Sequence, residues 1–323
     1  MSIWLVKIVG FLMVAGAIGM ALSRAPDRPV ETLVARWAPP PSDFVEVKGM
    51  VVHVRDQGPR QDPVPVVLVH GTGASLHTWE GWVQELLKAQ RRVITFDLPG
   101  FGLTGPFAGQ YAPDDYRGDT YARFVLDLMD TLKVQRFVIG GNSLGGEVAW
   151  RTAVAAPARV ERLVLVDAAG PTFEPQSVPI GFVIARVPVV NRLAEHLLPR
   201  SLIHSSLTNV YGDPRRVTPA LVDRYFELTL REGNRRALGQ RLATWVPGQG
   251  QEKIATLRLP TLILWGGQDR LIPPEVAQVF KRDIAGSELV MFDDLGHVPQ
   301  EEQPLRTVQP VLAFLGKAAA AAP

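Results

Sequence analysis

Residues 137–146 read FVIGGNSLGG, and this pattern indicates the architecture of the whole chain. The apolar residues Phe137–Ile139 predict a buried strand, and the residues from Leu144 onward predict a helix. A G-x-S-x-G pentapeptide between a strand and a helix places its serine on a sharp turn above the edge of the sheet. Glycines two residues before and after the serine let the strand and the helix approach each other closely. The pattern therefore predicts that Ser143 is a nucleophile.

Strands and helices alternate on both sides of this turn. We predict strands at Phe44–Val47 and Met50–Arg55, which form a hairpin, and at Val66–Val69, Val93–Phe96, Phe137–Ile139, Leu163–Val166, Thr261–Trp265 and Glu288–Phe292. Helical patterns occur at Thr78–Ala89, Tyr116–Leu132, Leu144–Ala156, Pro274–Ile284 and Pro304–Leu315. Such alternation predicts an α/β fold with a mostly parallel central sheet and helices on both faces. The interval of about residues 170–253 predicts a helical cap inserted between the sixth and seventh strands.

A serine hydroxyl needs a base to take its proton, and the base needs a carboxylate to orient it. Of the six histidines, only His297 lies just past the last predicted strand, on a loop that can reach back over the sheet. Asp269 follows the preceding strand, so the chain order is serine, aspartate, histidine. Asp167 ends an earlier strand and stays open as an alternative acid, although it also fits a turn residue. Asp97 is interpreted as a turn former, because its strand should lie far from the histidine.

Two backbone N–H groups are predicted to receive the oxyanion that forms during acyl transfer. Leu144 begins a helix, so its N–H has no partner inside that helix and lies next to the nucleophile. The glycine-rich loop after Val66–Val69 brings a second donor, which is most simply Thr72, with Gly73 as the alternative. His70, at the start of this loop, is interpreted as a structural residue.

Five motifs of the chain resemble those of the α/β-hydrolase superfamily. They are HGTG at 70–73, DLPGFG at 97–102, GNSLGG at 141–146, WGGQD at 265–269 and GH at 296–297. The resemblance covers roughly residues 43–316, and residues 70–82 and 218–238 are most similar to bacterial serine esterases and lipases. It implies the α/β-hydrolase fold and a carboxylic-ester hydrolase whose cap shapes a pocket for an apolar acyl group, with no cofactor or metal. Ser143 departs from haloalkane dehalogenases and epoxide hydrolases, which carry aspartate there.

Three other functions remain open at this point. Hydrolysis of a carbon–carbon bond in ring-cleavage products is suggested because Asn142-Ser143, a bulky residue and two glycines resemble that group, although the loop after Gly73 lacks its Pro-Gly sequence. A cofactor-free perhydrolase or haloperoxidase would use the same triad. An inactive binding module on this fold is a fourth interpretation, and turnover of a p-nitrophenyl ester would exclude it.

Composition excludes several classes of function. The chain has 323 residues with a net charge of +2, and its basic residues form no stripe interleaved with aromatic residues, so we expect no nucleic-acid partner. It has no cysteine, which excludes disulfides, thiolate metal sites and a cysteine nucleophile. With 46% hydrophobic residues, it has ample material for a large core.

The N-terminus is the compositional outlier. Ile3–Leu22 is an apolar run whose only charge is Lys7, long enough as a helix to cross a bilayer. We predict a membrane anchor at residues 1–22, with the bacterial inner membrane as its location, and a cleaved signal peptide that releases a soluble exported enzyme as the alternative. Which side of the membrane holds the enzyme stays open. Residues 23–42 predict a proline-rich linker, residues 43–317 the hydrolase domain, and residues 318–323 an alanine-rich tail.

Overall fold

The computed structural model describes residues 23–111, 115–187 and 196–317, together with isolated positions before residue 23. In this part of the chain the strands are β1 (Ser42–Val47), β2 (Met50–Gln57), β3 (Val66–Val69), β4 (Val93–Phe96), β5 (Phe137–Asn142), β6 (Val160–Val166), β7 (Thr261–Gly266) and β8 (Glu288–Phe292). These described strands form one eight-stranded sheet in the order β1-β2-β4-β3-β5-β6-β7-β8. β2 is antiparallel to β1 and to β4, and all the other pairs are parallel. The predicted mostly parallel sheet is confirmed.

Helices cover the sheet and extend beyond it. The described α-helices are α1 (Glu31–Trp37), α2 (Glu80–Lys88), α3 (Gly118–Thr131), α4 (Leu144–Ala155), α5 (Ile180–Ala185), α6 (Arg200–Val210), α7 (Pro219–Thr229), α8 (Asn234–Thr244), α9 (Glu275–Asp283), α10 (Pro299–Glu302) and α11 (Pro304–Gly316). Short 3₁₀ segments lie at Leu76–Trp79, Pro214–Arg216 and Gln251–Thr256.

The core lies on both faces of the sheet, as successive residues of β3 show. Val66 and Leu68 pack in a cluster with residues of α2 and α11. Val67 and Val69 point to the other face and pack in a cluster with residues of α3, α4 and α9. Because both faces are covered, the strand is continuously apolar rather than alternating.

The cap lies between β6 and β7, where the sequence predicts it. Helices α5 to α8 belong to this insertion. Leu207 and Val222 of the cap pack in a small apolar cluster together with Val298, which follows β8. The cap is therefore joined by apolar contacts to the loop that carries His297.

The segment from Ser23 to Ala38 packs against the cap, although the sequence predicts a linker there. Leu198 N donates a 2.9 Å hydrogen bond to Ser23 O, and Ala25 N donates one of 2.9 Å to His196 O. Leu33 of α1 is buried in a cluster with Leu228 of the cap. A few apolar side chains and backbone hydrogen bonds are enough to hold this proline-rich segment, and their signal in the sequence is weak.

Within the residues that the structure describes, no helix is long and apolar enough to cross a membrane. The predicted anchor Ile3–Leu22 falls mostly outside these residues, and the alanine-rich tail at residues 318–323 falls wholly outside them. Both stay predictions from sequence.

Candidate active site

Ser143 occupies the turn between β5 and α4. Its backbone has φ 57° and ψ −118°, a conformation that a residue with a side chain adopts only when its surroundings enforce it. Ser143 N donates to Val166 O at 3.1 Å, and Ala169 N donates to Ser143 O at 3.0 Å. A Cβ on Gly145 would overlap Val69 O, so only glycine allows the helix this close to the sheet. The neighbouring strands thus fix the strained turn that raises the serine.

His297 and Asp269 are joined by a buried hydrogen bond. His297 Nδ1 lies 2.7 Å from Asp269 Oδ2. A carboxylate only accepts, so Nδ1 carries the proton and Nε2 presents its lone pair. Asp269 Oδ1 accepts two further bonds, from Leu271 N at 2.8 Å and Ile272 N at 3.0 Å. These three donors fix the orientation of the Asp269 carboxyl group towards the imidazole.

Ser143 and His297 both line one cavity beneath the cap. The hydrogen bonds among the described residues include none between Ser143 Oγ and His297 Nε2. Catalytic hydrogen bonds are often long before substrate binds, so this geometry is compatible with a serine and its base. The structure therefore brings the three predicted triad residues together and fixes one of their two bonds.

Three residues that the sequence did not indicate hold the loop that carries His297. Asn142 Nδ2 donates to His297 O at 2.9 Å. His297 N donates to Val210 O of the cap at 2.8 Å, and Gly296 N donates to Glu302 Oε1 at 2.7 Å. Asn142 had a signal, since it stands inside the pentapeptide, but its partner lies 155 residues away.

The predicted oxyanion donors lie around Ser143. Leu144 is the first residue of α4, so its N–H has no acceptor within the helix. A Cβ on Gly71 would lie 3.1 Å from Ser143 Cβ, which shows how closely the glycine-rich loop approaches the nucleophile. Thr72 and Gly73 line the same cavity as Ser143. Leu144 thus follows the serine directly, while Thr72 and Gly73 share its cavity, and their role as oxyanion donors stays a prediction.

Asp97 holds the residues around the glycine-rich loop in place through buried hydrogen bonds. Its oxygens accept from Leu76 N at 2.8 Å, Leu103 N at 2.8 Å and His53 Nδ1 at 2.7 Å. Burial alone would raise the pKa of Asp97, but the charge and hydrogen bond of His53 hold it well below its usual range. His70 Nε2 accepts from Leu98 N at 2.9 Å. Asp97 and His70 thus lie in positions that agree with a structural role.

Ser42, His53 and Asp97 form a second serine–histidine–aspartate arrangement. His53 Nε2 lies 2.9 Å from Ser42 Oγ, and its Nδ1 is bonded to Asp97. The side chains of His53 and Asp97 are fully buried, and Ser42 Oγ also accepts from Arg55 Nε at 2.9 Å. None of these residues lines the cavity beneath the cap. We assign a structural role to these three residues, which join β1, β2 and the end of β4.

Asp167, the alternative acid, lies beside Asp269. It is fully buried, and its Oδ1 accepts from Gly266 N at 2.9 Å. Burial, and next the negative charge of Asp269, raise the pKa of Asp167 well above its usual range. One atom each from Asp167, Asp269 and His297 lie within 4.8 Å of one another, a donor set that could hold a cation. Both oxygens of Asp269 already accept hydrogen bonds from N–H groups. This arrangement favours a proton on Asp167, facing Asp269, over a bound cation.

The cavity beneath the cap has a volume of about 400 Å³. Most of its lining is apolar, and the cap supplies Phe182, Ile184, Leu198, Leu202, Ile203, Leu207 and Leu238. Among the described lining residues Arg235 is the only one with a cationic side chain, and its Nε donates to Asp27 Oδ1 at 3.0 Å. Tyr225 also lines the cavity, with its hydroxyl donating to Glu301 Oε2 at 2.8 Å. An apolar ligand fits these walls better than a charged one.

Comparison with known proteins places these features in context. The sequence profile of a family described as alpha/beta hydrolase fold matches residues 64–304. A 2-hydroxymuconate semialdehyde hydrolase from a Pseudomonas species is 29% identical over 80% of this chain and 89% of its own length. A meta-cleavage product hydrolase from Pseudomonas fluorescens has a structure with a TM-score of 0.70 and 27% identity, covering 84% of this chain and 97% of its own. A bacterial membrane phospholipase A has a TM-score of 0.69 and 24% identity over 98% of both chains, a likeness of fold.

Proposed function

The chain belongs to the α/β-hydrolase family and is a hydrolase, and we propose that it cleaves carboxylic esters with apolar acyl groups through an acyl-enzyme on Ser143. The family resemblance that the motifs indicate is confirmed. The proposal of ester hydrolysis rests on the site and on the cavity described above.

The proposed mechanism follows from the placement of the triad. His297 Nε2 takes the proton of Ser143 Oγ as that oxygen attacks the ester carbonyl. Asp269 stabilises the imidazolium that results, because its carboxylate accepts from Nδ1. The N–H groups of Leu144 and of Thr72, or Gly73 in its place, receive the oxyanion. His297 then returns the proton to the leaving alcohol, and water releases the acid by the same steps.

The apolar cavity is the observation that carries the ester assignment. It extends from Ser143 into the cap and is lined mainly by aliphatic and aromatic side chains. Each methylene group that an acyl chain buries there contributes about 0.8 kcal/mol, or about a fourfold gain in kcat/KM. Acyl chain length should therefore control the rate until the cavity is full.

The second candidate is hydrolysis of a carbon–carbon bond in ring-cleavage products. The names of two relatives reported above favour it, and the sequence of residues 141–146 agrees. Such a substrate carries a carboxylate, which needs a cationic partner when it leaves water. Arg235, the guanidinium among the described lining residues, is already paired with Asp27. The cavity therefore supports the hypothesis of ester hydrolysis, and the relatives support the hypothesis of carbon–carbon bond hydrolysis.

A substrate panel separates the two candidates. We expect kcat/KM for p-nitrophenyl esters to rise about fourfold per methylene from the acetyl ester onward and then to level off. A 2-hydroxy-6-oxo-dienoate should be cleaved at least about 100-fold more slowly than the best ester, a difference of about 2.7 kcal/mol. The reverse ranking would replace the ester proposal by the second candidate.

A cavity-filling variant provides the internal control. Leu202→Trp places a larger side chain in the cavity and should abolish the preference for long acyl chains while sparing the acetyl ester. Leu305→Trp makes the same change at an exposed position of α11 and should leave the profile unchanged. Equal profiles for the two variants would show that the acyl chain does not enter the cavity.

The proposal keeps Ile3–Leu22 as a membrane anchor, with a cleaved signal peptide as the alternative. The support is the length and apolarity of this run. Because Ser23 and Ala25 bond to the cap, a retained anchor would hold the cap near the membrane surface. Sequencing the N-terminus of the mature protein distinguishes the two, since Met1 or Ser2 means an anchor and Leu22 or Arg24 a cleaved signal.

A further inference from the structure

Asp167 is a buried carboxyl group that the mechanism above does not use. It follows β6 directly, has a φ of 43° and is inaccessible to solvent. Its Oδ1 accepts from Gly266 N at 2.9 Å, and one of its carboxyl oxygens lies within 4.8 Å of a carboxyl oxygen of Asp269. In the described part of the chain no N–H or hydroxyl group reaches its Oδ2.

A hydrogen bond between two carboxyl groups requires that one of them carries a proton, because ionised carboxylates only accept. Both oxygens of Asp269 act as acceptors, from His297 Nδ1, Leu271 N and Ile272 N. Asp167 accepts one N–H group, from Gly266. The proton between the pair therefore belongs to Oδ2 of Asp167.

Burial and the acidic groups around Asp167 act in the same direction. Burial and the carboxylate of Asp269 raise its pKa, and Glu302 of α10 is a second acidic neighbour. The cation that His297 becomes during turnover acts in the opposite direction, but it is bonded to Asp269 rather than to Asp167. Since folding raises the pKa of Asp167, its contribution to stability is complete below the ordinary Asp range, near pH 4, and is lost as pH rises towards the folded value.

The geometry points to protonated Asp167 as a positioning residue, which donates from Oδ2 to Asp269 and holds that carboxylate in line with His297. This inference rests on the proposed roles of Ser143, His297 and Asp269. The bond also withdraws negative charge from Asp269, so it limits how strongly Asp269 stabilises the imidazolium. Asp167 thereby adjusts the base without touching the substrate.

Two substitutions test this role through the pH profile of kcat. Asp167→Ala removes the donor, and we expect about a tenfold loss of kcat, with the midpoint of the acid limb moved to higher pH. Asp167→Asn offers the same acceptor and a neutral donor, so it should restore kcat to within about threefold of wild type and return the midpoint. The melting temperature of Asp167→Asn relative to wild type should increase from pH 5 to pH 8.

Infrared spectroscopy detects the protonated carboxyl group of Asp167 directly. It does not require the alanine variant to fold. At pH 7 the wild-type protein should show a protonated-carboxyl stretching band that Asp167→Asn lacks. Absence of this band, or an Asp167→Asn variant as impaired as Asp167→Ala, would overturn the inference. Asp269→Asn is the reference and should lose about 10⁴-fold in kcat. If it stayed active, the assignment of Asp269 as the acid of the triad would fail, and the infrared band would still decide the protonation state of Asp167.

Discussion

Among single residues, Asn142 connects the nucleophile turn to the histidine loop. Its amide donates to Val166 O at 3.2 Å and to His297 O at 2.9 Å. Asn142→Ala should lower kcat about tenfold, since losing the buried hydrogen bond to His297 O, worth about 1.4 kcal/mol, displaces the base from the serine. KM should change little, because this amide binds protein groups rather than the acyl chain.

Asn234 provides a matched control for this prediction. It is also buried, and its amide donates to two backbone carbonyls, Gly102 O and Leu228 O. Asn234→Ala should lower the melting temperature by a similar amount but leave kcat within about threefold of wild type. A loss of kcat as large as in Asn142→Ala would mean that general destabilisation explains both.

The grouping of Ser143, Asp269 and His297 could be predicted from sequence, while the residues that hold them in place could not. Ser143, Asp269 and His297 each follow a strand within a recognisable motif, so strand order brings them together. The support from Val210 O and Glu302 depends on how the cap and α10 pack against the loop. Contacts between segments so distant in sequence leave no local pattern.

Among the elements, α1 and the residues before it act as a strap across the cap. Leu33 is buried, Trp37 Nε1 donates to Glu227 Oε2 at 2.7 Å, and Asp27 pairs with the cavity residue Arg235. The sequence alone predicts that a protein beginning near Pro41 is soluble and active. The packing of the strap changes this expectation, because its removal exposes apolar surface on the cap.

Two truncated proteins test the strap. A protein that begins at Ser23 should be stable and active, whereas one that begins at Asp43 should melt roughly 10 °C lower, since it loses buried Leu33 and half-buried Trp37 of α1. Leu33→Ala in the longer protein should reproduce part of this loss, and Leu305→Ala, at an exposed leucine, should not. Equal melting temperatures for the two truncated proteins would show that residues 23–42 act only as a linker.

The strands were easier to predict than this strap for a physical reason. A strand covered on both faces needs a continuous apolar run, and Val66–Val69 or Thr261–Gly266 shows that run without ambiguity. The strap has many prolines and few apolar residues, so its composition is that of a linker. Part of its attachment consists of backbone hydrogen bonds to His196 and Leu198, which leave no pattern in the sequence.

In the whole molecule, the cavity lies where the sheet edge and the cap meet. The sheet edge supplies Ser143 and His297, and the cap supplies most of the apolar walls. Motifs in the sequence locate the sheet edge but say little about the shape of the walls. The reaction type is therefore better determined than the substrate.

Identifying the covalent intermediate tests the central claim of serine catalysis most directly. The protein is mixed with excess p-nitrophenyl ester, quenched in acid within the first turnover, and digested for mass spectrometry. We predict a burst of nitrophenol and an acyl adduct on the peptide that contains Ser143, with neither in Ser143→Ala, which should fold normally. Continued turnover by Ser143→Ala at a tenth of the wild-type rate or more, with no adduct on Ser143 in the wild type, would contradict the account.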